Sequence, residues 1–200
     1  MTNDGANQGR RRFLVAATSV VGAAGAVGVA VPFVKSWNPS AKAKAAGAPV
    51  KVNLSKLEPG QMMTIEWRGK PVYVVRRTPE ALANLRKMDE RVADPQSADE
   101  QQPAYAQNDS RAIREEFVFL VGLCTHLGCA PMFRPEVGAP DLAHQGEEWL
   151  GGFFCPCHGS KFDLAGRVFK GVPAPSNLEV PPHRYETDTI VVVGEDQEAA

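Results

Sequence analysis

Little in this chain stands out by amount. Four of its 200 residues are cysteine, too few for a disulfide-scaffold protein of this length. Neither sign of charge is in excess: 22 basic against 23 acidic side chains leave no basic field for wrapping nucleic acid. There is no glycine-rich phosphate loop, no nucleophile paired with a base and no basic patch. Disorder is excluded in turn, because 44% of the side chains are apolar. The length allows one ordinary domain with an appendage, enough chain to bury a core.

What is present is unevenly placed. Arg10, Arg11 and Arg12 precede a charge-free run from Phe13 to Val34, and the next charge is Lys35. Those 22 residues, mostly Val, Ala and Gly, would cross about 30 Å of hydrocarbon as a helix. Basic residues ahead of the run put residues 1–12 in the cytoplasm and everything after the run on the other side of the membrane. Arg10-Arg11-Arg12-Phe13-Leu14 also fits the twin-arginine export pattern, which carries proteins across already folded. Ala41-Lys42-Ala43 offers small residues as at a cleavage site, so a cleavable signal is the alternative to a retained anchor over 13–34. The run exceeds the usual length of a cleavable apolar core, which favours the anchor. Trp37 suits the membrane interface. Residues 35–49 are small, Ala-rich and without apolar period, and read as a flexible tether, with a frayed extension of the membrane helix as the alternative because Ala and Lys favour helix.

From Val50 onward the pattern is mainly β. Met62–Trp67 and Pro71–Val75 flank Arg68-Gly69-Lys70, a hairpin; Phe117–Leu123, Trp149–Phe154 and Thr189–Val193 are further strands. A helix is expected over 79–88, capped by Thr78, with Leu82, Leu85 and Met88 on one face. Residues 89–111 read as a long polar loop. The expected architecture is an antiparallel β domain over 50–200 behind one membrane helix.

All four cysteines, and two of the four histidines, lie in two hexapeptides. These are Cys124-Thr125-His126-Leu127-Gly128-Cys129 and Cys155-Pro156-Cys157-His158-Gly159-Ser160, each directly after an apolar strand. Buried apolar cysteine is a poor explanation, since turn residues surround them. A structural zinc site needs only four of the six candidates. A thiol-redox pair would want one more residue between Cys155 and Cys157. A two-iron cluster with two thiolate and two imidazole ligands uses Cys-x-His in one box and Cys-x-x-His in the other, leaving one cysteine over in each. His144 and His183 have no partner at a ligand spacing and read as loop histidines.

The two boxes, with Gly171-Val172-Pro173-Ala174-Pro175 and the N-terminal anchor, resemble the Rieske iron–sulfur proteins, and the whole chain is similar to those of bacterial cytochrome bc complexes. The resemblance implies a Rieske-type fold with a small cluster-binding part over about 117–176, and one 2Fe-2S cluster. It implies that Cys124 and Cys155 ligate the buried iron, His126 and His158 the outer iron, and that Cys129 bonds Cys157. Leu127 and the loop carrying Gly171 and Pro173 would shield the cluster, and Ser160 would donate to a bridging sulfide. The family often carries a tyrosine where this chain has Phe162, so one hydrogen bond to a ligand sulfur is expected to be missing. The implied activity is transfer of an electron from ubiquinol, with proton coupling through the ligand histidines, to a c-type cytochrome. The partners would be cytochrome b, that cytochrome and the bilayer. Two neutral imidazoles in place of two thiolates make the oxidised cluster formally neutral rather than dianionic, which moves its potential from about −400 mV into the range of about −150 to +300 mV. A periplasmic oxidoreductase such as arsenite oxidase would carry similar boxes and is the second reading.

Overall fold

The structure, a computed structural model, describes residues 7–196, so the first six residues of the expected cytoplasmic segment lie outside the described part. The chain divides into two compact units after Ala45.

The first unit holds helix α1, Gln8–Ser36. It begins ahead of the expected span because the Asn7 side chain accepts from the Gly9 and Arg10 backbone N–H groups, and Gln and Arg are good helix formers. Its 29 residues give a rod of roughly 43 Å, exposed throughout and free of charge from Phe13 to Val34, with Pro32 inside it and Lys35 in its last turn. The tether is not wholly flexible: helix α2, Ala41–Ala46, occupies part of it, in keeping with the helical alternative though as a separate short helix. Alternating Ala and Lys favour helix, and the Ser40 hydroxyl caps the Ala43 N–H.

The second unit contains three antiparallel sheets of three strands each among the described residues. One joins β1 (Val50–Asn53), β9 (Ile190–Val193) and β8 (His183–Tyr185). A second joins β2 (Met62–Trp67), β3 (Lys70–Arg76) and β4 (Phe117–Val121). The third joins β5 (Met132–Arg134), β6 (Gly152–Phe154) and β7 (Lys161–Asp163); one cysteine box precedes β5 and the other connects β6 to β7.

Strands β3 and β4 read as unbroken apolar runs because the sheet is covered on both faces. Val72, Val74, Phe117 and Phe119 face a core shared with β1 and β9. The alternate residues Tyr73, Val75, Val118 and Leu120 face a second core with Leu85, Phe153 and Phe162, which also takes in Cys124 and Cys155. Helix α3, Pro79–Lys87, is capped as expected by Thr78, whose hydroxyl accepts from the Ala81 N–H.

Several boundaries move. The hairpin turn is two residues, Arg68 and Gly69, both with positive φ; Lys70 pairs with Trp67. The strand expected from Trp149 starts only at Gly152, because Gly151 has φ +95° and Trp149 turns its indole N–H onto the Arg134 carbonyl. Residues 89–111 form no strand, yet they bury Val92, Ala106, Ser110 and Arg111. His183 is not a loop residue: it is buried in β8 against Phe119, its Nδ1 against the Pro181 carbonyl, and burial lowers its pKa. His144 pairs across a short bridge with Glu147, and its Nε2 meets the Lys170 carbonyl at 2.8 Å.

Candidate metal centre

The two boxes fold into the same loop. In the first, the Cys124 N–H donates to the Cys129 carbonyl and the Gly128 N–H to the Cys124 carbonyl, at 2.7 and 2.8 Å. In the second, the Cys155 N–H donates to Ser160 and the Gly159 N–H back to Cys155, at 2.8 and 2.9 Å. Gly128 and Gly159 have φ of +80° and +79°, the left-handed conformation that closes such a loop and that glycine adopts without strain. Strand β4 delivers the first loop and β6 the second, so both start from rigid elements.

The residues that sequence singled out converge here. Cys124 and Cys155 are buried free thiols, 3% and 2% exposed. Cys129 and Cys157 form a disulfide that joins the loops. Both disulfide sulfurs lie within 4.8 Å of the Cys155 sulfur, but as a disulfide they are no longer thiolate ligands. The rings of His126 and His158 meet edge to face, centroids 4.7 Å apart at 87°. His126 Nδ1 is buried with no hydrogen-bond partner, as a nitrogen reserved for a metal would be. Two free buried thiols and two adjoining imidazoles carried on the same pair of loops, one with an orphaned nitrogen, suit a mixed-ligand iron–sulfur cluster; the remaining cysteines are spent on the clamp.

Burial pushes the Cys155 thiol up, and the neighbouring Cys124 raises it further. The backbone N–H groups of Cys157 and His158 act the other way by donating to its sulfur. Those donors favour a thiolate at the position where a metal would need one.

Around the loops, Leu127 is 71% exposed at the outer end of the first loop, beyond His126. The proline loop is fastened from both boxes. Ser160 is fully buried and its hydroxyl accepts from the Ala174 N–H at 3.0 Å; Thr125 donates its hydroxyl to the Ser176 carbonyl at 2.6 Å. Gly171 has φ +74° and leaves 2.8 Å between a would-be Cβ and the Gln145 amide, so this loop begins where only glycine fits well. Phe162 is fully buried opposite Phe153. Thr125 was not picked out from the sequence; its position inside a ligand box, as the one polar residue there with no ligand role, was the available signal. His144 and His183 take no part.

A Rieske [2Fe-2S] domain profile matches residues 49–182, and a ubiquinol–cytochrome c reductase Fe-S subunit TAT-signal profile matches residues 1–40. The ubiquinol–cytochrome c reductase iron–sulfur subunit of Allochromatium vinosum is 57% identical over 100% of this chain and 95% of its own. That of Blastochloris viridis is 41% identical over 96% of this chain and 97% of its own. A chain of a solved hyperthermophilic respiratory Complex III is 26% identical, covering 89% of this chain and 99% of that one, with a TM-score of 0.46. The cofactor is accordingly one Rieske-type 2Fe-2S cluster, and the apolar helix with its export signal makes this a membrane protein. With matched profiles over both leader and β domain and end-to-end relatives, the chain belongs to the Rieske [2Fe-2S] family, among the ubiquinol–cytochrome c reductase iron–sulfur subunits.

Proposed function

We propose that this chain takes an electron from ubiquinol and hands it to a c-type cytochrome within a cytochrome bc complex, its β domain on the periplasmic face. Cys124 and Cys155 hold the inner iron, and His126 and His158 the outer one. The observation that carries this reading is the asymmetry of the ligand set: the thiols are sealed in the core, while the two imidazoles stand together beside an exposed leucine. When bound, the cluster supplies one-electron acceptance in the range of about −150 to +300 mV.

The chain's own residues do the rest. Each ligand histidine keeps one ring nitrogen for a proton, so a quinol hydroxyl bonded there gives up its proton where its electron leaves. Leu127 and the loop at Gly171–Pro175 keep water away from the inner ligands. The N–H groups of Cys157 and His158, with the Ser160 hydroxyl, favour the more negative reduced state. Helix α1 fixes the chain in the lipid bilayer, with Arg10, Arg11 and Arg12 near its start on the cytoplasmic side.

The test is electron paramagnetic resonance on purified membranes, with and without an inhibitor of the quinol site, alongside iron and acid-labile sulfide analysis. A mixed-ligand signal that responds to the inhibitor, from a preparation in which cytochrome b copurifies, is expected. Zinc without sulfide, or a signal indifferent to the inhibitor, would overturn the reading.

A further inference from the structure

Tyr73 touches three of the four chain segments that frame the two ligand loops. Strand β3 directs its side chain into the core that holds both free thiols. Its ring lies against Gly122, two residues before Cys124, so closely that a Cβ there would come within 2.5 Å. It stacks on Phe153, two residues before Cys155, with centroids 5.7 Å apart and planes within 11°. Its hydroxyl donates to the Pro131 carbonyl at 3.0 Å, two residues after Cys129. The entry to both loops and the exit from the first thus meet on one side chain, which is 6% exposed.

We propose that Tyr73 is a positioning residue for the metal centre, a wedge that sets the spacing of the two boxes and thereby the hydrogen bonds their sulfur receives. This rests on Cys124 and Cys155 being the thiolate ligands. Hydrogen bonds to sulfur weaken steeply as they lengthen or bend, and those to Cys155 come from its own loop. If the frame loosens, the reduced state loses more than the oxidised one, and the midpoint potential falls.

Tyr73→Phe keeps the stack and the Gly122 contact and removes only the tie to Pro131. Gly122→Ala moves the same ring from the other side. Val191→Ala, in the core shared by β1 and β9, is the control, since it loosens the domain without touching the boxes. The measurement is a redox titration followed by electron paramagnetic resonance on the intact complex in membranes. Tyr73→Phe should lower the midpoint potential and alter the line shape, and any Gly122→Ala protein that assembles should do the same. Val191→Ala should leave both as in the parent. An unchanged potential and line shape in Tyr73→Phe would overturn the proposal, as would an equal shift in Val191→Ala. If the parent itself gives no mixed-ligand signal, the ligand assignment fails instead.

Discussion

Ser160 and Phe162 are two residues apart, and both are fully buried. Ser160 accepts from the Ala174 N–H, which leaves its own hydroxyl proton available; in the proposed reading it would donate to a sulfur of the cluster. Phe162 offers no such proton. A bond worth about 1 kcal/mol more in the reduced state raises a one-electron potential by about 40 mV. Ser160→Ala should therefore lower the potential by tens of millivolts, and Phe162→Tyr should raise it by a similar amount. Protein-film voltammetry reads both, and two unshifted potentials would reject this account of the tuning.

At the scale of elements, the turn after β7 anchors the second box to the body of the domain. Asp163 accepts from the Ala165 and Arg167 N–H groups and from Arg167 Nε, at 2.8, 2.9 and 2.6 Å. The Arg167 guanidinium goes on to Asp89 and to the Pro95 and Leu85 carbonyls. Asp163→Ala removes the buried partner of a buried guanidinium and leaves it the more exposed Asp89 as its counter-charge, which should cost about 3 kcal/mol in chemical unfolding. None of this network was legible in the sequence, because Asp163 and Arg167 are ordinary charged residues until distant segments close around them. The same holds for β5, β7 and β8, whose three residues each are too few to show a period. The boxes were legible for the opposite reason: sulfur and imidazole are rare, and their clustering carries chemistry without any fold. The turn at Arg68-Gly69 was half legible, since glycine marked it while the length of the hairpin loop depended on register.

For the whole molecule, the near-zero net charge averages a basic leader and a mildly acidic remainder, because the first 12 residues carry three arginines and one aspartate. Between helix α1 and strand β1 the tether has α2 as its one regular element, flanked by residues 37–40 and 47–49 outside regular structure. If the β domain must travel between a quinol site and a cytochrome, the tether sets its reach. Deleting residues there, or inserting Pro-Pro, should slow quinol:cytochrome c reductase turnover in membranes several-fold while leaving the midpoint potential in place. Unaffected turnover would show that the domain does not need to move. The two ligand loops carry a last consequence. Both are closed by their own main chain, Cys to the residue five places on and Gly back to Cys, so their shape does not depend on the side chains between. Thr125, Leu127 and Pro156 can therefore be exchanged without refolding the loops, and inheritance can retune this redox centre one residue at a time.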